Sequence, residues 1–169
     1  MISVGEIAPN FDLTSTEDVV IMLRDEVPRS AVLLYLFGDP ASDGVRADLS
    51  ALASAHERLA DLPLSVLGIS AAKLPELKQA QNELSLPFPL LVDDREFCAQ
   101  YGVDAADDEG LQPALIAVDR QQRIVFAEHP VGSVEEAIGR IEGDLKRLPG
   151  STSNYPRGIV NRLIDRWVN

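Results

Sequence analysis

The residues from Ala31 to Phe37 form an unbroken apolar run, the pattern of a strand covered on both faces. Gly38 to Gly44 follows, carrying the Gly, Asp, Pro and Ser residues that favour a loop. The apolar positions then recur with a helical period, so that Val45, Leu49, Leu52, Ala53, His56 and Leu59 share one broad face. Ser42 or Asp43, immediately ahead, is placed to cap the exposed N–H groups of that helix. Asp61-Leu-Pro63 closes it, and Leu64 to Ile69 reads as a second strand. The unit is β-loop-α-β, with its two strands parallel.

A second helix is expected from Pro75 to Leu84, with the proline tolerated in its first turn. Leu86 to Val92 is apolar, but Pro87 and Pro89 keep the whole run from being a central strand. Arg95 to Tyr101 predicts a short helix with Phe97 and Tyr101 on one side, and Asp104 to Gly110 an acidic loop. Ala114 to Val118 and Arg123 to Glu128 flank Asp119-Arg-Gln-Gln122 as an antiparallel hairpin. Val134 to Leu148 returns to helical spacing. Ahead of all this, Phe11, Leu13 and Val19 to Leu23 suggest a small hairpin. The order β-α-β-α-α-β-β-α fits a mixed sheet with helices on both faces.

After Pro149 the pattern changes. Gly150 to Asn154 is a short polar spacer, and Gly158 to Val168 predicts an amphipathic helix. Residues 1–148 therefore read as one α/β domain, 149–157 as a linker, and 158–169 as a helix docked on the domain or on a partner. Residues 150–169 hold three Arg and one Asp, a formal charge of +2, against −14 for residues 1–149. Opposite charge favours docking.

The whole chain, 169 residues with a formal net charge of −12, is acidic. That balance argues against nucleic-acid binding. No stretch has the length or hydropathy of a membrane span, and the N-terminus lacks a signal-peptide pattern, so a cytoplasmic location away from membranes is expected. Cys98 is the only cysteine, which excludes an internal disulfide. His56 and His129 are the only histidines and share no metal-binding spacing. Neither a metal nor a cofactor is expected. His56 reads as a core-boundary residue. Arg46 and Asp48 read as solvated helix residues or the rim of a polar pocket, and Asp93 and Asp94 as solvated or capping acids.

The stretch Val4-Gly-Glu-Ile-Ala-Pro-Asn-Phe-Asp-Leu13 resembles the opening signature of the peroxiredoxins, Gly-x-x-Ala-Pro-x-Phe-x-Leu. Leu64 to Ser70, Leu86 to Asp93, Tyr101-Gly-Val103 and the hairpin around Val118-Asp119 and Arg123-Ile-Val125 extend the likeness. It covers residues 3 to 148 and is strongest to the bacterioferritin-comigratory type of the alkyl hydroperoxide reductase and thiol-specific antioxidant family. The resemblance implies a thioredoxin-like fold with a mixed central sheet. It also implies a peroxide-reducing cysteine in the first turn of the helix after the first core strand, where a helix N-terminus stabilises thiolate. A nearby Thr or Ser hydroxyl and an Arg from a later strand would hold the peroxide.

Carried onto this chain, the family pattern Thr/Ser-x-x-Cys falls on Ser42-Asp-Gly-Val45. Ser42 keeps the hydroxyl, while Val45 has neither a lone pair nor an ionisable proton. The family arginine falls on or near Pro113. The expectation is a non-catalytic relative that serves in binding or assembly, with an unknown protein partner or a second copy of itself. Two alternatives are a thiol-dependent antioxidant acting through Cys98, and a different activity in the vacated cleft involving Ser42, Asp43 and Arg46. Cys98 reads otherwise as a small buried hydrophobe.

Overall fold

The computed structural model describes residues 3–59, 64–93, 97, 100–101, 112–129 and 131–147, with 142–147 described by backbone alone. Cys98, Asp94, the acidic loop 104–110, the linker 149–157 and the segment 158–169 lie outside the described residues.

The apolar run at Ala31–Phe37 is strand β3, and all seven of its residues are buried. Around it lie β1 (Asp12–Ser15), β2 (Val20–Met22), β4 (Leu64–Ser70), β5 (Leu90–Val92), β6 (Ala114–Val118) and β7 (Ile124–Glu128). They form one seven-stranded sheet in the order β2-β1-β5-β4-β3-β6-β7. β3 runs parallel to β4, and β4 parallel to β5, whereas β6 and β7 are antiparallel to their neighbours. The mixed sheet and the parallel β3–β4 pair are as the sequence pattern implied. The helices are α1 (Leu23–Glu26), α2 (Asp43–Arg58), α3 (Leu74–Leu84) and α4 (Val134–Arg147).

Because side chains alternate along a strand, β3 feeds two cores. Leu33, Tyr35 and Phe37 face α2, α3 and α4, packing with Leu49 and Leu52, with Leu77 and Ala80, and with Ala137 and Ile138. Val32, Leu34 and Leu36 face the N-terminal segment, α1 and the stretch at Phe97 and Tyr101. Among the described residues, three long helices lie on one face and shorter elements on the other.

That second face brings together two of the motifs that carry the family resemblance. Ala8 and Phe11 of the opening signature are buried there beside Phe97 and Tyr101. Phe11 meets Phe97 edge-on at 4.9 Å, and Phe97 lies 4.2 Å from Tyr101 between ring centroids. The Tyr101 hydroxyl donates to the Pro9 carbonyl at 2.8 Å. Such edge-to-face pairs add stability beyond their buried area. Asp93, buried, accepts from the Phe97 N–H at 3.1 Å and so anchors the backbone that carries this ring.

Two elements differ from the pattern reading. Leu90–Val92 is an interior strand, pairing with β4 on one side and β1 on the other. Pairing starts directly beyond Pro89, whose carbonyl accepts from Gly68 N–H at 3.3 Å, so the prolines displace the strand's start without abolishing it. Leu23–Glu26 is a single helical turn, where Val19 to Leu23 had read as the end of a hairpin. The hairpin itself is present, with Leu13 opposite Ile21. At the β6–β7 turn, Asp119 Oδ1 accepts from the N–H groups of Gln121 and Arg123 at 2.9 and 2.8 Å, and Gln122 takes a positive φ of 64°.

Gly68 in β4 shows how tightly the sheet packs on its helical side. A Cβ there would lie 2.5 Å from Leu90 Cδ2 and 3.2 Å from Phe37 Cε1. Overpacking of this kind costs about 1–3 kcal/mol, more than the roughly 0.4–1 kcal/mol that Ala gains over Gly through the unfolded chain. Gly68→Ala is therefore expected to lower the thermal midpoint by several degrees in a melting experiment. An unchanged or higher midpoint contradicts this packing.

Candidate functional site

The chain leaves the sheet at Phe37 and turns through Gly38 to Ser42 before entering α2. Three hydrogen bonds fix that turn. Ser70 Oγ, at the matching end of β4, donates to the Gly38 carbonyl at 2.7 Å. Asp39 Oδ1 accepts from Ala41 N–H at 2.9 Å, and the Asp39 carbonyl accepts from Ser42 N–H at 3.2 Å. Ser42 then occupies the N-cap position with extended backbone, and its carbonyl accepts the Arg46 N–H at 2.9 Å.

The capping expectation holds for position and fails for chemistry. The Ser42 side chain makes no capping hydrogen bond, and Asp43 is the first helical residue rather than the cap. Asp43 still favours the helix electrostatically, as a negative charge in the first turn. Ser42, Asp43 and Gly44 are all exposed, whereas Val45 is 6% exposed. Val45 belongs to the helical-side core with Leu49, Leu52 and Ala55, the inward stripe of α2. The position that the family pattern gives to the cysteine is filled here by the first member of a packing stripe.

Pro113 lies at the start of β6, half-buried, with its carbonyl accepting from Val131 N–H at 2.8 Å. Since β6 runs antiparallel to β3 and Ala114 pairs with Leu36, Pro113 sits at the same end of the sheet as the Ser42–Val45 turn. The topology thus unites these three positions at one end. The cation nearest to them in sequence is Arg46, the residue after Val45, which is engaged in an ion pair with Glu83 at 2.9 Å.

Beside this turn lies a cleft of about 200 Å³ between the start of α2 and α3. Its walls carry Asp39, Arg46, Glu76 and Glu83 over a floor that includes Pro40 and Ala80. Arg46 and Glu83 form an ion pair at 2.9 Å that ties the first turns of α2 to the last turn of α3. Gln79 and Arg46, in that order, hold the Glu83 carboxyl below its usual range. Ser42 and Asp43 do not line this cleft, so of the three residues considered for a replacement activity only Arg46 reaches it. Among the described residues, no three His, Cys, Asp or Glu side chains gather as a metal site, and no helix is long and apolar enough to cross a membrane.

One polar contact went unseen in the sequence pattern. Tyr35, fully buried in the middle of β3, donates its hydroxyl to Asp48 Oδ2 at 2.7 Å. Asp48 sits three residues beyond Val45 and is half-buried, so it is a strand-to-helix tether rather than a solvated acid. Tyr35 also stacks on Phe37, with centroids 5.4 Å apart and planes 18° from parallel. No spacing rule links a strand residue to a helix residue thirteen positions on. The only available signal was a lone phenol inside an apolar run, because a buried Tyr hydroxyl usually finds a partner. His56, by contrast, lies at the core boundary as expected, 6.2 Å from the Phe88 ring.

Burial first, then the hydrogen bond and the charge of Asp48, push the Tyr35 hydroxyl pKa far above its ordinary value. Burial does the same to Tyr101. An unfolded tyrosine ionises near pH ~10 while these stay protonated, so their stabilising effect is complete below that pH and is lost as pH rises beyond it. Tyr35→Phe should lower stability by about 1–3 kcal/mol at neutral pH, through loss of a hydrogen bond to a carboxylate. It should also make the decline in stability above pH ~10 shallower. Denaturant titrations at pH 7 and across the alkaline range measure both, and a mutant with unchanged stability and slope refutes the tether.

The profile of the AhpC/TSA family matches residues 4–127 of this chain. Peroxiredoxin Bcp of Bacillus subtilis (strain 168) is 25% identical over 99 residues, which cover 59% of this chain and 62% of that protein. Among solved structures, peroxidoxin BcpB of Mycobacterium tuberculosis superposes with a TM-score of 0.77 at 15% identity, covering 85% of this chain and 98% of that one. A cysteine-to-serine mutant of PrxQ from Xylella fastidiosa gives 0.77 at 17% identity, covering 85% and 97%. The sheet order and the matched span agree: this chain is a thioredoxin-fold member of the AhpC/TSA, or peroxiredoxin-like, family.

Proposed function

We propose that this chain is a non-catalytic member of its family, retained for binding or assembly in the cytoplasm rather than for peroxide reduction. The observation that carries the reading is Val45, 6% exposed and part of the same apolar core as Tyr35, Phe37 and Leu49. Reduction of a peroxide by a thiolate forms a sulfur–oxygen bond as the O–O bond breaks, leaving a sulfenic acid and releasing an alcohol or water. A valine offers no electron pair for that attack. Pro113 in turn supplies no charge to polarise the oxygens. The partner on this reading is another protein or a second copy of the chain, and no nucleic acid, membrane, metal or cofactor enters.

Two measurements follow. Purified protein supplied with hydrogen peroxide or an alkyl hydroperoxide, and with thioredoxin or dithiothreitol as reductant, is expected to consume peroxide at the background rate. Turnover that survives removal of catalase and disappears in Cys98→Ser overturns the proposal and selects the thiol-dependent alternative. Separately, Val45→Cys is expected to leave peroxide reduction far below that of an intact family enzyme, because the nucleophile returns without the arginine that the family resemblance places at or near Pro113. A rate comparable with such an enzyme shows that the rest of the site is still in working order.

A further inference from the structure

We draw no further inference here: the strongest candidate, the charged cleft between the start of α2 and α3, is a set of carboxylates around the Arg46–Glu83 ion pair with no second observation that points to what would occupy it.

Discussion

Burial of β3 on both faces is the constraint from which the rest of the fold follows. A strand in that position leaves no side chain for solvent, so each face must be matched by a separate apolar layer. Leu33, Tyr35 and Phe37 require helices on one side, and Val32, Leu34 and Leu36 require a cover on the other. The N-terminal signature supplies part of that cover. Its Ala8 and Phe11 are buried against Phe97 and Tyr101, and the Pro9 carbonyl receives the Tyr101 hydroxyl. Residues of these two distant stretches, both of which carry the family likeness, thus share one packing surface in this chain.

The same constraint shapes the end of the sheet that holds Ser42, Val45 and Pro113. α2 must deliver Leu49, Leu52 and Ala55 to the core, and its inward stripe reaches back to the first turn at Val45. A residue in that first turn is poised between two demands. A cysteine there is favoured as thiolate by the helix N-terminus, whereas a valine gains from burial, at about 0.8 kcal/mol per CH₂ removed from water. This chain meets the second demand. The Tyr35–Asp48 hydrogen bond and the Arg46–Glu83 ion pair then hold the first turns of α2 to β3 and α3. The buried tether carries more weight than the ion pair, since partly exposed pairs contribute little.

Much of this was legible from periodicity. The run at Ala31–Phe37 marks a doubly covered strand, and the spacing from Val45 to Leu59 marks one face of a helix. Both are long enough for their period to be unmistakable. Short elements escape that logic. β5 spans only Leu90–Val92 and follows a proline, and α1 is one turn, so neither offers a full period to read. The candidate site was half legible. Val45 and Pro113 could be placed by motif, and the topology brings both to one end of the sheet. Arg46 lines a polar cleft, in keeping with its reading as a rim residue, but the partners of Asp48 and Arg46, Tyr35 and Glu83, could not be read, because they become neighbours only after the sheet and helices have packed.

Position 45 belongs to the core rather than to a vacant reactive pocket, and Val45→Ala measures that most directly. Two methyl groups would leave the helical-side core, to which Tyr35, Phe37 and Leu49 also belong. Equilibrium unfolding in urea is predicted to show a stability loss of about 1–2 kcal/mol with an unchanged m-value, after the small gain in helix propensity for alanine. A variant as stable as the parent, or more stable, would contradict the account, for it would mean that nothing packs where the family's cysteine would stand.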